Sequence, residues 1–311
     1  HKGVLMAIDA ESGRKQWEIK TKLPFTGGPG ISNNLLLMGT QDGEVFAFDA
    51  STGTQLWSAT VTSEVLAAPA MADGVVVVRC IDGRIFGLDA ETGQRIWIYD
   101  HNVPLLTLRG NAPVLLRAGV AFIGYDGGQV VALRVDDGTL MWEQTLVTTE
   151  GRTELDRLSD IDGQLVFIAS DLLVSSYKNR LASLAADSGR LLWFKDISSA
   201  TGVAVDRVNL SLSDKDGNLW LLDRRNGAEF WKHNQLLHRG LTRPAFFGSF
   251  VVVGDADGYL HWINVSDGRF AARVKAGGKG FAGPPLVVEN TLYAMTRKGE
   301  LLAYRAGAAL N

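Results

Sequence analysis

Three kinds of string in this chain have the residue types and spacing of a chemical site. Asp214-Lys215-Asp216-Gly217 and Asp255-Ala256-Asp257-Gly258 space two carboxylates and a glycine much as a calcium loop does. Gly277-Gly278-Lys279-Gly280 has the glycines and lysine of a phosphate cradle, and Cys80 with five histidines supplies nucleophilic or acid–base groups. None of these develops further. A phosphate-binding lysine is followed by Ser or Thr and opens a helix, whereas Gly280 and Phe281 follow here, so the segment reads as a linker. Cys80 closely follows the apolar run Val75 to Val78 and reads as a buried, inert thiol. The histidines are scattered, and neither H-E-x-x-H nor G-x-S-x-G occurs. No metal-ligand spacing stands out, and the two acidic strings fall at a turn position that recurs along the chain.

That recurrence is the dominant feature of the sequence. Asp9 to Gly13 leads to Trp17, Asp49 to Gly53 leads to Trp57, and Asp89 to Gly93 leads to Trp97. The glycine-to-tryptophan offset of four returns at Gly138/Trp142, Gly189/Trp193 and Gly227/Trp231, and a degraded copy at Gly268 has Ala272 in the tryptophan position. A second glycine series, Gly3, Gly43, Gly83, Gly128, Gly217 and Gly258, lies ten residues before these turns, with Asn179 taking its place in the fifth copy. Both residue types tolerate φ > 0.

Residues 29–60 show what one repeat builds. Pro29 to Ser32, Leu35 to Met38, Glu44 to Phe48 and Thr54 to Ala59 read as four short strands, A to D, joined by turns at Asn33-Asn34, Gln41 to Gly43 and Asp49 to Gly53. Further A strands are marked near Ala68-Pro69, Ala112-Pro113, Pro244-Ala245 and Pro284-Pro285. A strand-rich unit of about 40 residues in series is a β-propeller pattern. The recurring Trp is expected to cover the junction with the next blade, and the acid that opens the turn to accept its own loop amides. Trp220 and Trp262 fall outside this register and read as core residues.

Seven A-B-C modules follow a half-blade made of a C strand at Val4 to Ile8 and a D strand around Trp17; the last module ends at its C strand, Glu300 to Tyr304. The expected fold is therefore all-β, an eight-bladed propeller of four-stranded antiparallel blades whose N-terminal strands are missing from this sequence. It forms one domain over residues 1–311, and seven blades is the alternative.

Bulk properties narrow the function. A net charge of −3 with acids and bases mixed excludes the basic stripe of a nucleic-acid binder. No apolar run approaches the 18 residues of a membrane helix. One cysteine forms no intrachain disulfide, which leans cytosolic and is compatible with the periplasm. No signal peptide is visible, and because the chain opens inside a repeat, the natural N-terminus is expected upstream.

The spacing singles out two loops. Steps between Gly13, Gly53, Gly93, Gly138, Gly189, Gly227 and Gly268 are 40, 40, 45, 51, 38 and 41 residues. The excess falls in consecutive D-to-A connections, roughly 98–111 and 144–162, and antiparallel strands put all D-to-A and B-to-C connections on one face. Long loops on a rigid scaffold are where binding concentrates. The first carries Leu105, Leu106 and Leu108 beside Arg109, which suits an interface centre or a loop that tucks its leucines under itself. The second sets Glu154, Asp156, Asp160 and Asp162 against Arg152 and Arg157, which suits either an interface or a self-paired, solvated loop. A third D-to-A loop, Leu236-Leu237-His238-Arg239, is a weaker candidate whose histidine reads as structural or surface before ligand or pH sensor.

The repeat resembles the tryptophan-docking repeat of pyrroloquinoline-quinone (PQQ) dehydrogenases. Four longer strings resemble the BamB family: Pro104 to Gly110, Glu154 to Asp162, Leu236 to Arg239, and Gly254 to Asn264. The resemblance covers essentially the whole chain. It implies a periplasmic, eight-bladed propeller lipoprotein of the machinery that assembles outer-membrane β-barrels. It further implies tethering to the outer membrane by an N-terminal lipidated cysteine that Cys80 cannot be, and binding to the POTRA domains of BamA. The family's partner-contact positions match Leu106, Leu108, Arg109, Asp160 and Asp162. Nascent outer-membrane proteins are a further partner the family role suggests. No cofactor and no enzymatic activity are expected. The alternative, a quinone-dependent dehydrogenase, resembles this chain in the repeat alone: those enzymes hold quinone and Ca²⁺ with a set of acids and basic groups beside a vicinal disulfide, and this sequence has neither a Cys-Cys pair nor such a cluster outside turns and loops.

Overall fold

The computed structural model describes residues 3–101, 112–125, 127–146, 161, 163–176, 180–199 and 201–305. These form eight antiparallel sheets, each a simple meander, and no helix. The first sheet pairs Val4–Ile8 with Lys15–Lys20. The second runs Phe25–Ser32, Leu35–Thr40, Glu44–Asp49 and Gln55–Thr60, the A, B, C and D strands expected for residues 29–60 with A extended toward its N-terminus. Four-stranded sheets follow over 70–99, 115–145, 166–195, 203–233 and 245–275, and a three-stranded sheet over 286–305 ends the series. The first four sheets with the turn at 187–189 make one compact unit, and the last four make a second. The fold class is the all-β propeller type.

The B strands Leu35–Thr40 and Val75–Arg79 are buried along their whole length, because sheets pack on both of their faces. The C strands Val4–Ile8 and Leu301–Arg305 depart from this pattern and alternate between exposed and half-buried, since among the described residues a sheet covers only one face of each. Several A strands are only three residues long and start just after the prolines that mark them, at Ala70, Leu115 and Leu286. Proline has no N–H for the ladder, so pairing begins beyond it.

One contact repeats between successive sheets. Trp17, Trp57, Trp97, Trp142, Trp193 and Trp231 each lie on the turn glycine of the next repeat, at Gly53, Gly93, Gly138, Gly189, Gly227 and Gly268. Those glycines have φ between +69° and +75°, and a Cβ on any of them would stand 2.6–2.9 Å from an indole carbon. Trp17, Trp57, Trp97 and Trp231 also donate Nε1–H to a main-chain oxygen in the next repeat, at Ala50, Ala90, Val135 and Val265, over 2.8–3.0 Å. A register shift in each C–D pair places the indole opposite a small residue in most copies: Ala7, Ala47, Gly87, Ala132 and Ser183. Where Ala272 replaces the tryptophan, the D strand Phe270–Lys275 is exposed at every position. Trp262 is core, and half-buried Trp220 donates to Asp214.

The turns are tied by their opening acids. Asp49 Oδ1 accepts the N–H groups of Ser51 and Thr52 with both hydroxyls, and Asp89 Oδ1 accepts the N–H groups of Glu91 and Thr92. These bonds hold both carboxyls below the usual range, led by the side-chain hydroxyls of Ser51 and Thr92. Asn179 of the second glycine series lies outside the described residues.

Burying an indole covers roughly 200 Å², worth up to about 5 kcal/mol. Trp57→Ala is expected to cost about 3–5 kcal/mol in urea unfolding. Gly93→Ala, a single methyl, should cost about 2 kcal/mol or more because it adds strain to a collision with that ring. Gly74→Ala has the same sign of φ but open space around it and should cost only about 1 kcal/mol. Equal costs for the two glycine variants would show that the ring contact is not what constrains the turn.

Candidate protein-docking site

The two elongated loops leave and re-enter the described structure at four points, 101, 112, 146 and 161, all in the first unit. Residues 101, 146 and 161 are held at the edge of the fourth sheet where its B strand turns into its C strand, and 112 is held by Arg79 of the third sheet beside it. The organising residue is Tyr125, fully buried at the end of the apolar strand Val120–Tyr125, with its hydroxyl donating to Gly83 O at 3.0 Å. Burial pushes its phenol well above the ordinary value.

His101, at the start of the first loop, stacks on Tyr125 with ring centroids 3.9 Å apart and hydrogen-bonds Gln129 Oε1 through Nε2 at 3.0 Å. At the far end of that loop, buried Arg79 donates Nη1 to Ala112 O at 3.0 Å, and its guanidinium lies 5.5 Å from the Tyr125 ring centre. Leu146, where the second loop departs, donates its N–H to Gly128 O at 2.8 Å. Ile161, at its return, donates to Tyr125 O at 3.4 Å and packs without solvent exposure on Gly124. A side chain at position 124 would collide with Ile161.

Leu106, Leu108, Arg109, Asp160 and Asp162 lie outside the described residues. The structure brings together the roots of the two loops that carry them. Sequence reasoning missed those roots. The available signal was a polar-tipped or charged residue closing an apolar run: Arg79 after Val75–Val78, and Tyr125 after Val120–Gly124.

The third candidate loop turns its chemistry inward. Leu236 is buried and Leu237 exposed. His238 has φ +57° and donates its N–H to Asp216 O. Arg239 donates Nε to Asp255 Oδ2 at 2.6 Å and Nη2 to Asp257 Oδ2 at 2.9 Å. Asp255 Oδ2 also meets His261 Nε2 at 2.8 Å, while Oδ1 accepts the N–H groups of Asp257 and Tyr259. Burial alone would raise the Asp255 carboxyl. The N–H of Tyr259 and the His261 and Arg239 side chains outweigh it and hold the group below its usual range. In the other acidic string, Asp214 is likewise occupied by Asp216 N–H, Asn218 and Trp220. Both strings are turn locks, and no group of three or more His, Cys, Asp or Glu among the described residues is arranged to hold a metal. Burial pushes the Cys80 thiol up to about 12, as expected of an inert cysteine.

Comparison with known proteins follows the same lines. The family model described as outer membrane protein assembly factor BamB matches residues 1–233. The protein of that name from Pseudomonas aeruginosa is 50% identical over 302 residues, covering 97% of this chain and 80% of the relative. Its counterpart from Xanthomonas campestris is 42% identical over 313 residues, covering 97% and 77%. The crystal structure of BamB from Moraxella catarrhalis superposes with a TM-score of 0.90 at 30% identity, covering 98% of this chain and 91% of that one. A europium-containing methanol dehydrogenase superposes with a TM-score of 0.74 at 12% identity, a likeness of fold alone.

Two buried imidazoles of the second unit, His233 and His261, give the fold an acid sensitivity. Burial lowers the pKa of His233 and of His261, and His261 Nδ1 is buried without a hydrogen-bond partner, so a second proton there would be unsatisfied. Below about pH 6.5 the unfolded chain takes up these protons more readily than the folded one. Thermal stability is therefore expected to hold above that pH and to fall as pH drops through the lower folded values. The double variant His233→Gln/His261→Gln should flatten the decline between pH 7 and 5.5; an equally steep profile would assign it to other groups. Tyr125→Phe is expected to cost about 1–3 kcal/mol by stranding Gly83 O, and to raise proteolytic cleavage within 101–112 and 146–161.

Proposed function

The chain belongs to the family of the outer membrane protein assembly factor BamB, and on that footing we propose that it is a non-enzymatic scaffold for the assembly of outer-membrane β-barrel proteins. In this reading it works at the periplasmic face of the outer membrane, held there by an N-terminal lipid. It docks the POTRA domains of BamA through Leu106, Leu108 and Arg109 of the first long loop and Asp160 and Asp162 of the second. Residues 1–311 act as one propeller domain, and nascent outer-membrane proteins are clients of the same platform.

The observation that carries the docking assignment is the shared root of the two loops. Four chain ends converge on Tyr125 and its neighbours, so both segments start from one rigid edge. Loops anchored in this way present a composite surface with little ordering cost on binding. Leucines would fill an apolar groove of the partner. Arg109 would pair with the partner or be oriented by Asp160 or Asp162, a charge-assisted contact at the border of the apolar centre. The quinone-dehydrogenase reading draws on the fold alone.

Binding of purified BamA POTRA domains, followed by biolayer interferometry, tests the assignment. Arg109→Ala and Asp160→Ala are each expected to weaken binding by roughly tenfold or more, with an unchanged unfolding midpoint. Unchanged affinity in both variants would refute the residues named. Mass spectrometry of the native N-terminus tests the anchor: a lipidated cysteine is expected, and an unprocessed methionine would contradict the envelope location.

A further inference from the structure

A cavity of about 290 Å³ opens in the second unit, among the D-to-A loops and B-to-C turns of its sheets. Two guanidinium groups line it, those of Arg243 and Arg297. Arg243 precedes the A strand Ala245–Phe247 and is half-buried. Its Nη1 donates to Gln164 Oε1, a neutral acceptor, and no carboxylate pairs with it among the described residues. Burial without a counter-charge lowers its affinity for its own proton. Arg297 donates Nε to Phe281 O at 3.2 Å, which leaves both of its terminal nitrogens available.

The acid that lines this cavity does not neutralise the pair. Both oxygens of Asp255 are taken up by Arg239, His261 and the N–H groups of its own turn. The hydroxyls of the wall are also committed: Thr242 Oγ1 accepts the Gly254 N–H, and Thr201 Oγ1 bonds Ser213 Oγ. The groups left to meet a guest are therefore cationic donors in a fixed fork geometry. A guanidinium withdrawn from water is costly unless an anion compensates it, and paired arginines match the planar or tetrahedral oxygens of carboxylates and phosphates. The volume suits a small guest and not a chain segment.

We propose that this cavity is a binding site for a small oxyanion, a carboxylate or phosphate group gripped by Arg243 and Arg297. None of the residues that line the cavity belongs to the segments 104–110 and 154–162, and the two assignments are tested by separate measurements.

Isothermal titration calorimetry of the purified chain with inorganic phosphate and, separately, with succinate tests the proposal and distinguishes the two anion classes. Saturable binding of at least one is expected, weakened by added sodium chloride. Arg243→Gln, which keeps a hydrogen-bonding group beside Gln164, should weaken it by roughly tenfold or more without lowering the melting temperature of the anion-free protein. Should that variant fail to fold, Arg297→Gln carries the same expectation, since its guanidinium is exposed. Lys20→Gln, on the exposed end of the strand Lys15–Lys20 in the first unit, should bind as the parent does. Absence of saturable binding by both anions, or binding undiminished in the arginine variants, would overturn the assignment.

Discussion

Everything in this fold depends on an indole laid across the turn of the following repeat. The contact does three things at once. It buries a large apolar plane, it satisfies a donor on a main-chain oxygen in the next sheet, and it closes the space above a glycine that only glycine can occupy. Because each tryptophan belongs to one repeat and each glycine to the next, the contact couples neighbours in series, and the turn at 187–189 travels with the first unit because Trp142 covers Gly189. The D strand Phe270–Lys275, which lacks the ring, shows by its full exposure what the ring otherwise covers.

That construction leaves the polar groups of the repeat with structural duties. The acids that open the C-to-D turns are taken up by their own loop amides and hydroxyls, and Asp214 and Asp255 do the same in the B-to-C turns. A carboxylate whose lone pairs are filled in this way is a poor ligand or base. The chemistry suggested by isolated strings therefore disappears once their neighbours are in place. What departs from the repeat is the length of two connections in the sequence and charged side chains, such as Arg243, that no carboxylate neutralises among the described residues.

The roots of the long loops illustrate how a periodic scaffold supports an aperiodic feature. Tyr125 replaces a simple apolar residue at the end of its strand with one that is apolar along its ring and polar at its tip. It can then stack His101, accept through its main-chain oxygen the N–H of Ile161, and donate to Gly83. Gly124 beside it admits Ile161 by having no side chain. These contacts fix where the two long connections leave and re-enter the sheets.

Much of this was legible in the residues themselves. The offset between Gly and Trp, the second glycine series ten residues earlier and the runs such as Val75–Val78 specify strands, turns and sheet count through local rules: φ > 0 at glycine, alternation or continuity of apolar residues, and no N–H at proline. The two long steps in the repeat singled out the loops. Tertiary structure alone decided which charges are spent and which are free. Arg239 and Arg243 are four positions apart in one loop, yet the first is neutralised by Asp255 and Asp257 while the second faces a cavity with a neutral partner. It also decided that His101, Arg79, Tyr125 and Ile161 meet at one edge. Those contacts join residues many positions apart, and their distances follow from how sheets pack, a quantity that no spacing along the chain encodes.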